Sequence, residues 1–282
     1  MGAATVRRAL PRPRQRTVGS WCFADHIGPD TVADDAGISG PGGIGTHPHI
    51  GLQTVTWLVS GSLLHRDSLG TEQRIQPGEL NLMTAGNGIA HAEESLTPDG
   101  GLVHGIQLWV ALPEATRKGS AAFEHHAELP YVELDNADGT VIVGELLAAR
   151  SPARADTDHF GAELRLRPGT TTLPLHQDHE HALVVLDGSA TVDGVRLVPA
   201  TVGLLDPGPD QLALQTEQAS LVMLLGGSPF GRKLHMWWNF VGFDRHEIDS
   251  AYDDWRDASD RFGSTDSELP RIEVDPPPWR TT

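Results

Sequence analysis

Apolar and polar residues alternate along much of this chain, and the alternation has the period of a β-strand. In "LQTVTWLVSGSLLHRDS" Val55, Trp57 and Val59 recur at every second position, which places them on one face of an extended segment. The run stops at Ser60-Gly61-Ser62, a turn signal. Pro77-Gly78 marks the next turn, and in "ELNLMTAGNGIAHAEES" Ile89, His91 and Glu93 alternate outward from a glycine-rich bend. Strand, turn, strand, bend, strand is an order that folds back on itself. A fainter copy lies downstream: "LVVLDGSATVDG" and "RLVPATVGLLDPGPDQLALQ" repeat the Gly-Ser turn, Pro turn and Gly bend of "TWLVSGSLLHRD" and "RIQPGELNLMTAGNGIAHAE". The repeat predicts two similar β-barrels. One segment departs from period two. Across residues 244–262, Ile248, Ala251, Tyr252, Trp255 and Phe262 fall near helical spacing, which predicts an amphipathic helix packed on a barrel. Trp237, Trp238 and Phe240 are its expected anchors, or part of the seam between the halves.

Composition narrows the picture. The 282 residues suffice for one large or two medium domains, and 31 Gly with 20 Pro suit many short strands joined by tight turns. A formal charge of −17 argues against nucleic acid as a direct partner, because a phosphate backbone calls for a cationic surface. Cys22 is the only cysteine, so no intramolecular disulfide and no thiolate metal cluster can form. It reads as a small buried side chain beside Trp21. No apolar stretch approaches membrane-spanning length, and the basic start "MGAATVRRALPRPRQR" is not followed by a hydrophobic signal segment. These features point to a cytoplasmic protein with no membrane partner. The arginines of residues 1–18 suggest a flexible basic arm, able to dock on an acidic partner or on the protein's own acidic body.

The candidate chemistry lies in two short clusters, His47-Pro48-His49 and His91-Ala92-Glu93. Residues i and i+2 of a strand share a face, so each cluster aims two ligand groups at one side of a sheet, and two strands could share one divalent ion. Either pair alone means little, since such pairs are common in loops. Together, with strand periodicity between them and a glycine bend before the second, they specify a metal site at His47, His49, His91 and Glu93. Structural zinc favours a closed shell, often with thiolates, whereas mixed nitrogen and oxygen ligands suit iron, manganese, nickel, copper or cobalt.

The stretches "HPHIGLQTVTWLVSG", "PGELNLMTAGNGIAHAEES" and "GIQLWVALP", with "FADHIGPD" upstream and "HMWWNFVGFDRHEIDSAYDDW" downstream, resemble the pirin family, a two-domain branch of the cupins. The resemblance implies an all-β bicupin of two similar β-barrel (double-stranded β-helix) domains with a short C-terminal helix. It divides the chain into the arm 1–18, a metal-binding domain 19–125, a C-terminal domain with the helix 126–262 and a tail 263–282. It also implies one divalent metal, with Fe(II) first, on His47, His49, His91 and Glu93. Some pirins cleave quercetin with dioxygen, and the same activity on a flavonol or related enol is the expectation here. The flavonol's 3-hydroxyl and 4-carbonyl oxygens can approach such an ion, and Glu93 is the expected base for the 3-hydroxyl proton. Gln53 stands where many pirins have glutamate, which removes a potential ionisable group without touching the ligands. Two other readings stay open: an iron-dependent, redox-sensitive regulator acting through a protein partner, and a dioxygenase for another enol or catechol.

In the second copy, Ala213 and Gln215 align with His91 and Glu93, so half the ligand set is missing there. His176, His179 and His181 nonetheless cluster in "LPLHQDHEHALVV". The reading for them is a solvated loop that takes up metal adventitiously, with a second site as the alternative.

Overall fold

The computed structural model describes residues 5–13, 17–32, 42–98 and 100–280. The chain gathers into two compact units: Ile27–His125 with Arg232–Thr282, and Val6–His26 with His126–Gly231. Its first strands are β1 (Val6–Leu10) and β2 (Trp21–Thr31), the latter continuing from the second unit into the first. Part of the segment expected as a flexible arm is therefore a strand. Ala9 and Leu10 are buried in it, and the Arg8 guanidinium donates to Asp25 Oδ2 at 3.0 Å while lying over the Phe23 ring. Residues 1–4 and 14–16 of that arm lie outside the described residues.

The first unit continues through β3 (Gly43–His49), β4 (Leu52–Ser60), β5 (Leu63–Asp67), β6 (Glu72–Ile75), β7 (Leu80–Thr84), β8 (Ile89–Ser95), β9 (Leu102–Ala111) and β10 (Ala122–His126). Strands β9, β4, β7 and β10 are neighbours in that order in one sheet, and β3, β8, β5 and β6 form a second of four strands. The turns seen in the sequence carry the chain between these sheets: Ser60–Ser62 from β4 to β5, Pro77-Gly78 from β6 to β7, and the bend at Gly86 from β7 to β8. Gly86 adopts φ +53°, and a Cβ there would meet the Gly119 carbonyl at 2.2 Å, so the bend requires glycine.

The expectation of β-barrels is corrected here, because the sheets are not closed. A barrel needs a hydrogen-bonded ladder that runs unbroken around its ring. The crossing turns contribute no ladder, so each sheet ends on its own outer strands, β3 and β6 in the four-stranded one. The second unit repeats the plan. Tyr131–Leu134, Ala137–Val143, His159–Leu166, Ser220–Gly227, Glu180–Asp187 and Val202–Leu205 pair in that order, and Gly169–Pro174, Gln211–Thr216, Ala190–Val192 and Val195–Leu197 form a separate four-stranded sheet. Leu164, Leu183 and Val222 of the larger sheet share one buried core with Leu173, Leu212 and Leu214 of the smaller. The bicupin arrangement thus stands as two pairs of facing open sheets.

A hairpin of His235–Trp237 and Phe240–Gly242 and the helix α1 (Arg245–Arg256) follow, both in the first unit. The Asp244 side chain caps α1 by accepting from the Glu247 amide, and Ile248, Ala251, Tyr252 and Trp255 bury one stripe of it against Ile50 and Ala90. Trp237 and Trp238 anchor the helix as expected, with ring centres 5.7 Å from Tyr252 and 6.4 Å from Trp255. The helix stops sooner than its periodicity suggests. Ala258 turns to φ +51°, and Phe262 reaches the same cluster from the following loop, 5.9 Å from Phe240. No helix among the described residues is long and apolar enough to cross a membrane.

Candidate metal centre

β3 lies antiparallel beside β8, and their register slips by one residue between Ile44 and His47. This β-bulge sets two residues of β3, Gly45 and Thr46, against one of β8, Ala92, which brings His47 opposite His91 and turns both clusters to the same face. The bulge includes Gly45, whose missing side chain lets the Pro270 carbonyl approach; a Cβ there would lie 1.9 Å from that oxygen. The sequence motif thus becomes a site through one extra residue.

The ligand atoms of His47, His49 and His91 lie within 4.8 Å of one another, and all three side chains are buried. His47 Nδ1–H donates to the Gly45 carbonyl at 2.8 Å, and His49 Nδ1–H donates to the Asn239 carbonyl at 3.1 Å. A carbonyl can only accept, so these bonds leave the Nε2 lone pair of each ring uncommitted. His49 Nε2 and His91 Nε2 stand 3.1 Å apart. Two nitrogens bound at right angles to one ion at ~2.1 Å would be about 3.0 Å apart, so the spacing fits a shared cation. Burial, opposed by the Gly45 bond and helped by the field of His65, lowers the His47 pKa to about 4. Burial and the neighbouring rings push His49 and His91 well below the ordinary value. At neutral pH the trio is uncharged, the form in which imidazole binds metal.

Glu93 occupies the same face of β8, two residues beyond His91, and is buried. Its carboxylate is not part of the close group of three nitrogens; it accepts from the Thr56 hydroxyl at 3.3 Å. Burial raises its pKa, against the opposing effects of His65 and Thr56. A buried carboxyl with a raised pKa gains its charge most readily beside a cation. Across from it, Gln107 and Trp109 on β9 face the site: Thr56 Oγ1 lies 3.0 Å from Gln107 Oε1, and the Trp109 ring meets His49 edge-on at 5.2 Å.

Two further residues stand at this site: from the sequence His65 reads as a core or surface imidazole, with lining the cavity as the alternative, and Asp67 has no reading. β5 runs beside β8 with His65 opposite Glu93 and Asp67 opposite His91. His65 is buried, stacks on Phe123 at 4.5 Å, and bridges Asp67 to His91. In the sequence "LLHRDS" offers His and Asp two apart on one strand face, which was the available signal; only the pairing with β8 gives it meaning. Gln53, by contrast, stands three positions from Thr56 on β4 and so projects to the opposite face, where its amide donates to Thr84. The glutamine does not alter the site.

His176, His179 and His181 are not among the groups whose ligand atoms converge. His179 Nε2 is held by Asp158 at 3.1 Å, and His176 stacks on His179 with ring centres 4.6 Å apart. Cys22 is fully buried, and desolvation pushes its thiol up to about 12, in keeping with a packing role. A cavity of about 470 Å³ lies beside Thr46, lined among others by Trp255, Phe262, Thr265, Leu269 and Arg271; none of His47, His49, His91 and Glu93 lines it.

Two open-sheet cupin units, with a histidine cluster in the first, define a class of protein, and comparison names it. Residues 3–110 match the Pirin family and residues 161–263 the pirin C-terminal cupin domain; the chain belongs to the pirin family. It is 43% identical over 281 residues to a Pseudomonas aeruginosa protein provisionally named quercetin 2,3-dioxygenase, covering 99% of this chain and 88% of that one. A pirin-like protein of Caulobacter vibrioides is 38% identical, over 91% and 89% of the two chains. The crystal structure of quercetin 2,3-dioxygenase from Acinetobacter baumannii superposes with a TM-score of 0.90 at 38% identity, covering 98% and 94%. The site fits a single metal ion of the transition series, held by neutral imidazoles.

Proposed function

We propose that this protein is a metal-dependent dioxygenase that opens the ring of a flavonol or a related enol, with Fe(II) as its ion. The observation that carries the reading is the set of three buried, neutral imidazoles converging beside a buried carboxylate on one sheet face. Relatives provisionally or plainly named quercetin 2,3-dioxygenase share this fold and much of this sequence. His47, His49 and His91 hold the ion, with Glu93 as fourth ligand. The ion supplies Lewis acidity toward an enol oxygen and a redox centre for dioxygen.

The remaining steps belong to the chain. The aromatic groups nearest the ligands are Trp109, edge-on to His49, and Phe123, stacked on His65, and they would set the apolar side of the substrate's surroundings. Glu93 takes the proton of the substrate's enolic hydroxyl at its carboxylate oxygen. Beside the ion Glu93 is held in its ionised form, which leaves its carboxylate free to accept a proton. Thr56 holds one Glu93 oxygen in place through its own hydroxyl.

The test is anaerobic loading with Fe(II), Mn(II), Ni(II) and Cu(II) in turn, followed by oxygen-uptake assays over flavonols, catechols and simple enols. Uptake that follows the ion present is expected. Glu93→Gln should lose far more turnover than metal, by roughly 100- to 10,000-fold, because the amide keeps an oxygen but not the basicity. Fully loaded wild-type protein that consumes no oxygen with any of these substrates would sink the oxygenase reading and leave a metal-dependent regulator as the better account.

A further inference from the structure

We propose that Asp67 and His65 form a positioning relay that fixes the tautomer of His91 and so keeps the His91 Nε2 lone pair open to a metal. This rests on the reading of His47, His49 and His91 as a metal centre. The three side chains form a buried line, with relative exposures of 2% for Asp67, 4% for His65 and 1% for His91. His65 Nε2 lies 3.0 Å from Asp67 Oδ2, and His65 Nδ1 lies 3.3 Å from His91 Nδ1. A carboxylate only accepts, so the proton between Asp67 and His65 sits on His65 Nε2. With His65 Nδ1 as the acceptor of the next bond, His91 supplies its proton from its own Nδ1. That leaves His91 Nε2 without a proton, beside the Nε2 of His49.

Asp67 is itself held in orientation. Its other oxygen, Oδ1, accepts from the Leu69 amide at 2.9 Å and the Thr71 amide at 3.1 Å, so Oδ2 must face His65. This makes one conservative change unusually informative. In Asp67→Asn the carbonyl oxygen must stay with those two amides, which can only donate, and the side-chain NH2 must then face His65. It would donate to His65 Nε2, move the His65 proton to Nδ1, and oblige His91 to accept there. His91 would carry its proton on Nε2, where the metal belongs. The carboxylate–histidine–ligand line is the arrangement by which proteins orient metal ligands from behind, and disturbing one lowers metal affinity by roughly 10- to 100-fold.

The experiment uses the full chain, wild type and the variants Asp67→Asn, His65→Phe and the double variant. ¹⁵N NMR of the histidine rings in metal-free protein reports which nitrogen of His91 carries the proton, and competition with a chelator gives the Zn²⁺ affinity. Wild-type His91 should be protonated on Nδ1 and Asp67→Asn on Nε2, with the affinity of that variant down roughly 10- to 100-fold. His65→Phe keeps the stacking on Phe123 but cuts the line, so adding Asp67→Asn to it should change affinity by no more than about twofold. Wild-type His91 protonated on Nε2 overturns the relay, even if a variant fails to fold. So does an Asp67→Asn protein that keeps the wild-type tautomer and affinity, or a full added loss in the double variant. Because the ring spectra need no ion, failure of wild-type protein to bind Zn²⁺ at these histidines would defeat the metal centre while the relay is still judged.

Discussion

A histidine nitrogen buried without water has to be accounted for by its neighbours, and in this molecule the same logic governs sites with and without a metal function. His159 in the second unit is 3% exposed, and its Nδ1–H donates to the Thr157 carbonyl at 3.0 Å. Burial lowers its pKa to about 4, against the Thr157 bond and the nearby charges of Asp158 and Asp156. The unfolded chain would take up this proton near pH 6.5, whereas the folded one resists until about 4. The folded state therefore loses stability as pH falls from 6.5 toward 4 and regains it on return; above 6.5 the term is flat. The full effect is on the order of 3 kcal/mol. Urea unfolding of wild type and His159→Asn at pH 7 and pH 4.5 checks it, since Asn keeps a donor near Nδ1 but cannot titrate. The variant should lose distinctly less stability on acidification, and equal losses would show that the imidazole is not responsible. Residues such as His47, His49 and His91 were legible in the sequence because period two and a shared face are local facts. His65 and Asp67 were not, because their meaning depends on which residues of β8 lie opposite, and Asn239 was not, because the carbonyl that holds His49 comes from 190 residues away.

At the scale of elements, the site depends on how tightly the last loop lies against β3. The Ile272 amide donates to the Thr46 carbonyl at 2.8 Å, Thr46 and Thr265 share a hydroxyl bond, and the Ser267 hydroxyl donates to Glu94 on β8. Gly45 makes the fit feasible. Gly45→Ala would place its methyl group on the Pro270 carbonyl, and backbone rather than a flexible side chain must yield. Overpacking of this kind costs about 1–3 kcal/mol. Hydrogen exchange at the Ile272 amide should accelerate, and metal affinity should fall because the Gly45 carbonyl also orients His47. Gly42→Ala, with no atom within 4 Å of its Cβ, is the control and should change neither. Unaltered exchange at Ile272 in Gly45→Ala would refute the brace. Element order, turns and the amphipathic stripe of α1 could be read from the chain, since each follows from nearby residues. The helix end could not, because only the positive φ of Ala258 marks it, and the open sheets could not, because Gly-Ser and Pro-Gly turns look alike whether they join neighbours in one ladder or cross to another.

For the whole chain, the consequence is that the metal-bearing unit is discontinuous in sequence while most of the second unit is one run. Ile27–His125 is completed by Arg232–Thr282. From that late segment Phe240, Ile248, Tyr252, Trp255 and Phe262 cover Ile50 and Ala90, the Phe262 carbonyl accepts from the Ala90 amide at 3.0 Å, and Asn239 holds His49. Each of those five side chains contributes about 1.5–3 kcal/mol by burial. Their sum rivals the entire stability of an ordinary domain, about 5–15 kcal/mol, so the first unit should not survive without them. The core of the second unit, from Val132 to Leu224, contains none of these residues. A chain ended after Gly231 should therefore keep slow hydrogen exchange in strands such as His159–Leu166 and Ser220–Gly227, lose it in β3 and β8, and bind no ion at His47, His49 and His91. Metal affinity retained at the wild-type level, or protection lost equally from both units, would contradict the division of labour. The activity proposed for the first unit would then not depend on the late segment that completes it.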